Sequence, residues 1–325
     1  MSAAASGASL SLGDVERARE VIRAHVHRTP LLSSRALSER IGAPAYLKAE
    51  SLQRTGSFKV RGAVNAVSQL SVEQRANGIV TMSAGNAAQA IAFACRAVGA
   101  PVTVAMPETA PRTKVDATRG YGALIRFGRD TTALMPIVRE LEAAARMYFL
   151  HPFDDDAMIA GHGTIALEIL DRLPDAGLIV VPVGGGALIA GIALAVAARR
   201  PQARVVGVEP AGAAGMRLAL DAGQPVPLTA ISTVADALAA PFAGVRPLEI
   251  VRACVEDVVT IDDSDIVEGV RFLAARARLV AEPGGAAAVG ALLAGRVVVR
   301  PGERVVAIVS GGNIDLARAA EIFTR

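Results

Sequence analysis

The fold of this chain is decided by the stretch LIVVPVGGGALIAG, which occupies residues 178–191. Its first four residues are aliphatic, which predicts a buried strand, and the small apolar residues at its end predict a buried helix. Gly184, Gly185 and Gly186 fall at the turn between the two. At such a turn several backbone N–H groups and the helix dipole can act on one anion, so the stretch predicts a phosphate-binding turn.

The three glycines alone are equally compatible with a tight turn that lets the helix pack closely. They do not match a dinucleotide-binding fingerprint, because Ile189 stands where that pattern has its third glycine. The sequence also has no GxxxxGK[ST] motif. Neither of the two commonest nucleotide-binding motifs is therefore indicated.

Outward from this stretch, short β-branched runs alternate with helix-length segments along almost the whole chain. Strands are predicted at 79–81, 102–104, 124–127, 178–181, 205–208 and 305–309, and near 148 and 258. This alternation predicts an α/β fold with parallel twisted sheets flanked by helices. The strands between 79 and 148 form one compact run. We therefore expect a small domain at residues 67–152 and a large domain made of residues 1–66 and 153–325.

The composition predicts a globular protein that binds neither nucleic acid nor membrane. Of 325 residues, 52% are hydrophobic and only 3% aromatic, and 34 basic residues interleave with 31 acidic ones. No run of 18 apolar residues occurs, and residues 1–13 are expected to be a loose tail rather than a signal peptide. Cys95 and Cys254 lack metal-ligand or CxxC spacing, which favours a reducing, cytoplasmic location.

The chain has only three lysines, Lys48, Lys59 and Lys114. Lys59 follows Phe58 and several small polar residues in the segment TGSFKVRGA, residues 55–63. A lysine in such a loop, together with a phosphate-binding turn, suggests pyridoxal phosphate, which forms a Schiff base with a lysine amine. Lone lysines are usually solvated, and this is the expectation for Lys48 and Lys114.

Two further loops follow predicted strands. The segment MSAGNAAQA at residues 82–90 opens a helix whose amides can bind a carboxylate, and Asn86 can reach a ring hydroxyl. An ordinary capped helix N-terminus explains the same residues. The segment VSGGN at residues 309–313 puts Ser310 at the sheet edge where open α/β folds bind ligands. A serine in a simple turn is the alternative there.

In combination and in this order, these motifs resemble the fold-type II pyridoxal-phosphate enzymes of the threonine dehydratase and serine racemase group. The matching motifs are SFKVRG (57–62), SAGN (83–86), GGGAL (184–188) and SGGN (310–313), with RTPL (28–31), ESLQ (50–53), GTIALE (163–168), GVEP (207–210) and EP (282–283) in support. The resemblance covers about residues 28 to 313. It implies a two-domain fold similar to the β subunit of tryptophan synthase.

The resemblance also implies roles for individual residues toward pyridoxal 5'-phosphate. Lys59 would be the Schiff-base lysine, Phe58 would pack beside the ring, Asn86 would bind the ring oxygen O3′ and Ser310 the pyridine nitrogen. A serine at the pyridine nitrogen leaves the ring neutral, which favours elimination over transamination. The expected phosphate ligands are Gly184, Gly185, Gly186, Ala187 and Leu188. The expected substrate loop is Ser83, Ala84, Gly85, Asn86 and Ala87.

The sequence departs from the family pattern at several of these positions. Dehydratases of the group usually have histidine at the position of Ala87 and a fourth glycine at that of Ala187. Racemases have a second serine where Ala84 stands, so racemisation is not favoured. Near Glu209, Ala213 to Gly215 replace the acidic partner of a cation site. We therefore expect no metal, although a weak cation site near Glu209 stays open.

These features imply an ammonia-lyase that dehydrates a β-hydroxy amino acid, L-threonine, L-serine or a bulkier analogue, to a 2-oxo acid and ammonia. Lys59 would remove the Cα proton. A β-replacement enzyme similar to cysteine synthase is one alternative, and a pyridoxal-phosphate-binding pseudoenzyme is another. The expected partners are a small amino-acid substrate and further copies of the chain, in a dimer or tetramer.

Overall fold

The computed structural model describes residues 10–324, so most of the tail expected at residues 1–13 lies outside the described residues. The strands are β1 (Leu31–Ser33), β2 (Ala45–Ala49), β3 (Ile79–Met82), β4 (Val102–Pro107), β5 (Leu124–Gly128), β6 (Tyr148–Phe149), β7 (Leu178–Pro182), β8 (Arg204–Pro210), β9 (Asp257–Ile261) and β10 (Val305–Val309). The α-helices are α1 (Leu12–Ile22), α2 (Arg35–Ile41), α3 (Lys59–Gln69), α4 (Val72–Asn77), α5 (Asn86–Ala97), α6 (Arg112–Gly120), α7 (Leu134–Ala145), α8 (Asp156–Arg172), α9 (Ala187–Arg199), α10 (Gly215–Ala222), α11 (Val245–Cys254), α12 (Asp263–Phe272), α13 (Pro283–Leu293) and α14 (Leu316–Thr324).

The α/β class predicted from the sequence is confirmed, and the strands form two sheets. The larger sheet has the order β1-β2-β10-β7-β8-β9 and is parallel except for β1, which pairs antiparallel with β2. The smaller sheet has the order β5-β4-β3-β6 and is parallel throughout. Within residues 10–324, no helix combines the length and hydrophobicity that a bilayer-spanning segment requires.

Both faces of the larger sheet are buried, which is why its central strands are apolar at every position. In β10, Val305 and Ala307 pack into the core on the side of α13, whereas Val306 and Ile308 pack into the core on the side of α8 and α9. The smaller sheet has its own core, to which α3 and α5 contribute. The carboxyl ends of the parallel strands in each sheet are left free to present loops.

Glycines allow α3, α8 and α9 to approach one another closely. A Cβ at Gly161 in α8 would lie 2.5 Å from the carbonyl oxygen of Arg61 and 2.6 Å from the Cα of Gly62 in α3. A Cβ at Gly163 would lie 2.8 Å from the carbonyl oxygen of Gly191 in α9. Because real Cβ atoms do not tolerate such distances, only glycine lets α3, which begins at Lys59, pack directly against α8.

A buried charge network also ties α3 to the larger sheet. Arg61 is fully buried and donates to Glu50 at 2.8 Å and to Glu168 at 2.7 Å. Lys48 is 1% exposed, donates to Glu168 at 2.5 Å and donates to the carbonyl oxygen of Thr29 at 2.8 Å. The expectation that Lys48 is solvated is therefore wrong. Its acidic neighbours, Glu50 and Glu168, belong to other elements, and Glu168 is also distant in the sequence. The sequence pattern around Lys48 therefore does not reveal them.

Candidate active site

The loop before α3 lies against the end of β10. The backbone N–H of Phe58 donates to the carbonyl oxygen of Ser310 at 3.0 Å, and Ser57 forms an isolated antiparallel bridge with Gly311. Lys59 is the first residue of α3, directly after this contact. Two segments that are about 250 residues apart in the sequence are thus joined at the carboxyl edge of the larger sheet, and Lys59 and Ser310 are brought together.

The Lys59 amine lies in an apolar environment. Among residues 10–324, its hydrogen bond is to the carbonyl oxygen of Pro152 at 3.1 Å, and no carboxylate lies within ion-pair distance. The ring of Phe58 is 5.2 Å from the amine nitrogen. Burial lowers the pKa of Lys59 from 10.5 to about 8. At pH 7 about a tenth of the amine is therefore uncharged, far more than for an ordinary lysine, and a nucleophile or base requires that form.

The glycine turn 184–186 lies next to the segment that contacts Lys59. Gly184 and Gly185 are partly exposed, and a Cβ on Gly185 would collide with the ring of Phe153, the neighbour of Pro152. Gly186 has φ +96°, and a Cβ there would lie 2.5 Å from the Met216 methyl group. Side chains are excluded at the turn by close neighbours as well as by its left-handed backbone at Gly186.

The helix that follows the turn supplies free N–H groups. The first helical hydrogen bond of α9 runs from Ala190 N–H to the Gly186 carbonyl, so the N–H groups of residues 187–189 have no acceptor within the helix. The side chains of Ala187 and Leu188 are buried in two different hydrophobic clusters. The methyl group of Ala187 packs in the hydrophobic cluster that contains Phe153. The alanine that stands at the position of the family's fourth glycine therefore leaves the backbone amides available.

The segment 83–87 comprises the loop between β3 and α5 and the first two residues of α5. The Ser83 hydroxyl accepts a hydrogen bond from Gly85 N–H at 3.1 Å, and α5 begins at Asn86. Ser83, Ala84 and Gly85 are partly exposed, and a Cβ on Gly85 would meet no atom within 4 Å. Ala87 is buried in the first turn of α5. The loop therefore borders open space and offers the unpaired amides of a helix N-terminus, as carboxylate binding requires.

Asn86 connects this loop to the end of β10. Its Oδ1 accepts a hydrogen bond from Asn313 Nδ2 at 2.8 Å, and its Nδ2 donates to Glu282 at the start of α13. The Ser310 hydroxyl is 4% exposed and 3.4 Å from the carbonyl oxygen of Gly284, which is a weak hydrogen bond. Both residues thus lie beside the loop that carries Lys59.

A cleft of about 620 Å³ opens next to these residues, between α6, the N-terminus of α13 and the segment after β10. Gln89, Glu282 and Asn313 are among the residues that line it, and Lys114 and Asp236, which also line it, form an ion pair. The Lys114 side chain is only 15% exposed, so the expectation that it is solvated is wrong. Its acidic partner lies 122 residues away in the sequence, which explains why the sequence does not reveal the pair.

The residues at this site fit pyridoxal phosphate. The glycine turn and the start of α9 form a cradle for an anion, in which side chains at Gly185 and Gly186 would collide with their surroundings. An amine with a lowered pKa lies beside it, and no acidic side chain competes for that amine in the described part of the chain. The buried Ser57 Oγ and Glu282 Oε2 also have no hydrogen-bond partner among residues 10–324. Buried polar atoms are normally hydrogen-bonded, so these two atoms are available to a bound group.

Three residues of this site were assigned no role by the sequence analysis. Glu282 and Asn313 occur in quoted motifs, but only the fold brings them to Asn86. His162 in α8 is fully buried, its ring is 4.7 Å from that of Phe58, and neither of its nitrogens has a partner within residues 10–324. Burial and the nearby charges of Lys59 and Arg61 hold the pKa of His162 well below its usual range. It is therefore neutral.

Glu209 lies near the end of β8, and its carboxylate contacts the N-terminus of α10. Its two carboxylate oxygens accept the backbone N–H groups of Met216 and Arg217, each at 2.8 Å. Burial raises the pKa of Glu209 to about 7, and these two hydrogen bonds oppose that rise. The positive end of the helix thus faces the carboxylate directly.

Comparison with known proteins agrees with this site. The family model described as "Pyridoxal-phosphate dependent enzyme" matches residues 22–311. An L-threonine ammonia-lyase of Geobacter sulfurreducens is 41% identical over 312 residues, which are 96% of this chain and 77% of that protein. An L-threo-3-hydroxyaspartate ammonia-lyase of Saccharomyces cerevisiae is 40% identical over 314 residues, which are 96% of each protein.

The fold of the whole chain also matches a solved structure. Maize serine racemase superimposes with a TM-score of 0.92 at 33% identity, and the match covers 97% of each chain. The family resemblance stated from the motifs, the fold and the cofactor are therefore confirmed. This chain belongs to the family of pyridoxal-phosphate-dependent enzymes.

Proposed function

We propose that this protein is an ammonia-lyase that uses pyridoxal phosphate to dehydrate a β-hydroxy amino acid to a 2-oxo acid and ammonia. The substrate is L-threonine, L-serine or a bulkier analogue. The observation that carries this proposal is the Lys59 amine, which has a pKa of about 8 and lies beside the glycine turn without an acidic partner in the described chain. The two relatives described above, both ammonia-lyases at 40–41% identity, support it.

In this proposal the cofactor would be held at four points. Gly184, Gly185, Gly186 and the first amides of α9, those of Ala187 and Leu188, would bind its phosphate. Lys59 would bind it covalently, with Phe58 beside the ring. Asn86 would donate to its ring oxygen, and Ser310 would face its pyridine nitrogen. The support for this assignment is that Lys59, Ser310 and Asn86 all lie around the loop after β10.

When bound, pyridoxal phosphate supplies an electron-withdrawing group to the amino acid attached to it. The substrate carboxylate is bound by the amides of the loop Ser83, Ala84, Gly85, Asn86 and Ala87. The Lys59 amine, freed when the substrate amine takes its place, would accept the Cα proton, which its lowered pKa permits near neutral pH. Ser310 would offer a neutral hydroxyl to the pyridine nitrogen, which would favour loss of the β-hydroxyl over transamination.

A substrate panel tests this function. The purified holoenzyme is incubated with L-threonine, L-serine, L-threo-3-hydroxyaspartate and phenylserine, and ammonia and 2-oxo acid are measured. We expect equimolar release of both from at least one of these substrates. A product that forms only when a thiol is added would instead indicate β-replacement. Release of D-serine without ammonia would indicate a racemase, and a cofactor spectrum without any turnover would indicate a pseudoenzyme.

We also propose that residues 67–152 form a small domain that carries the substrate loop, and that the rest of the chain forms the large domain. The separate sheet and core of strands β3 to β6 support this division. The protein is further proposed to form a homo-oligomer in the cytoplasm. Exposed apolar side chains at Leu52, Val280 and Leu316 support self-association, and light scattering of the purified protein tests it.

A further inference from the structure

The side-chain amide of Asn86 is held between two partners whose chemistry fixes its orientation. Asn313 Nδ2 donates to the carbonyl oxygen of Thr55 and to Asn86 Oδ1, each at 2.8 Å. Because a backbone carbonyl can only accept, it fixes which end of the Asn313 amide is the donor. The oxygen of Asn86 must then face Asn313, and its nitrogen must face Glu282.

Glu282 completes this chain of hydrogen bonds from the other side. Its Oε1 accepts from Asn86 Nδ2, while its Oε2 has no partner within residues 10–324. The side chain is 2% exposed and lies at the N-cap position of α13. The Asn86 nitrogen carries two hydrogens, and Glu282 takes only one of them. One N–H of Asn86 is therefore left to donate to a bound group.

We propose that Glu282 is a positioning residue, which together with Asn313 holds the Asn86 amide so that its second N–H is directed to the ring oxygen of the cofactor. The inference rests on the proposed role of Asn86 and deepens it. A change in the protonation of Glu282 would therefore affect the cofactor through one group, the side-chain amide of Asn86.

The charged surroundings of Glu282 place its titration in an accessible pH range. Burial raises the pKa of Glu282 to about 7; the hydrogen bond from Asn86 and the Lys114 amine in α6 oppose that rise, and Asp236 reinforces it. Asp315 and Arg318 are exposed at the rim of the same cleft. Burial thus places the change in protonation of Glu282 near neutral pH. In the charged form it binds Asn86 more strongly and disfavours negative charge on the nearby ring oxygen.

The test is a pH titration of the visible absorption of the holoenzyme without substrate, which does not depend on turnover. In the wild-type protein we expect the ratio of the cofactor's visible bands to change with a midpoint near pH 7. Glu282→Gln keeps an acceptor for Asn86 but cannot ionise, so this transition should disappear. Glu268→Gln makes the same chemical change at an exposed position of α12 and should keep it. Glu282→Asp should shift the midpoint rather than abolish it.

Two further measurements distinguish a wrong role for Asn86 from a wrong role for Glu282. If Asn86→Ala leaves the spectrum and the cofactor affinity unchanged, the role of Asn86 is wrong and the inference falls with it. If Asn86→Ala alters the spectrum while Glu282→Gln keeps the wild-type transition, the inference about Glu282 alone is overturned. Infrared titration of the holoenzyme detects buried carboxyls, and Glu209 supplies one whose pKa is also about 7. The wild-type protein is therefore compared with Glu282→Gln. A carboxyl signal that titrates with the visible bands and disappears in Glu282→Gln supports the proposal, and the lack of such a signal overturns it.

Discussion

The backbone N–H of Phe58 donates to the carbonyl oxygen of Ser310 at 3.0 Å, across 252 residues of sequence. This contact seats the start of α3 against the end of β10, so that Lys59 and Ser310 lie on adjacent segments. Arg61, two residues further along α3, anchors the same helix to Glu50 and Glu168. The position of the proposed catalytic amine is thus set by one backbone contact and one buried charge network.

We expect Lys59→Ala to abolish both turnover and the visible absorption of covalently bound cofactor, while the protein stays folded. Neither of the other two lysines lies next to the glycine turn, so none can replace it. Absorption spectra, a coupled oxo-acid assay and circular dichroism measure the three properties. Lys114→Ala is the matched control and should retain the visible band, because Lys114 pairs with Asp236. A visible band that persists in Lys59→Ala would remove Lys59 from its proposed role.

The lowered pKa of Lys59 predicts how the apoenzyme takes up its cofactor as the pH changes. Covalent attachment needs the uncharged amine, and burial lowers the pKa of Lys59 from 10.5 to about 8. Below that pKa, the uncharged fraction rises about tenfold for each pH unit. The rate of attachment, followed by stopped-flow absorbance, should therefore rise between pH 6 and 7.5 and level off above 8. A rate that still rises steeply at pH 10 would contradict the buried, low-pKa amine.

Ala87 is expected to widen the space beside the substrate carboxylate. Ala87→His adds a ring in the first turn of α5 without altering the backbone amides. It should therefore lower kcat/KM for phenylserine more than for serine. A well-filled contact is worth about 1–3 kcal/mol, so the ratio of kcat/KM for phenylserine to kcat/KM for serine should change by roughly tenfold or more. Steady-state kinetics on both substrates give this ratio, and an unchanged value would show that residue 87 does not limit substrate size.

Removal of the buried guanidinium at Arg61 should strongly destabilise the fold. Arg61→Met leaves Glu50 and Glu168 without their main partner in the interior, which typically costs about 3–5 kcal/mol. Urea unfolding of the apoprotein measures this loss. Arg35→Ala breaks the exposed pair with Glu39, whose atoms are 2.7 Å apart, and should change the stability far less than Arg61→Met does. Equal losses in the two variants would show that the network around Arg61 does not stabilise α3.

We expect chelation of divalent cations to have no effect on this protein. The Glu209 carboxylate already accepts two backbone N–H groups from α10, and the helix dipole supplies positive charge at that point. Dialysis against EDTA should therefore leave kcat and the melting temperature unchanged, as should later addition of Mg²⁺ or Ca²⁺. A loss of activity that Mg²⁺ restores would reveal a cation site near Glu209.

The α/β class and most strands of the fold were predictable because a local sequence pattern indicates each of them. Buried parallel strands are short aliphatic runs, and the glycine turn at 184–186 follows one of them directly. Strand β1 lacks such a signal, since it has three residues and none is fully buried. The motifs around Lys59, Asn86, the glycine turn and Ser310 were likewise identifiable, because backbone geometry and covalent chemistry restrict the residues that can stand there.

The sequence by itself determined the fold class, the family and the residues expected to hold the cofactor. Only the tertiary structure decided how those residues are supported. Lys48 and Lys114 look solvated in the sequence, yet each is paired with a carboxylate more than 100 residues away. In the same way Glu282 meets Asn86 across 196 residues. The burial and pairing of a side chain depend on which elements pack together. A partner that contacts the side chain only after the two sheets and their helices have assembled cannot be predicted from a local sequence pattern.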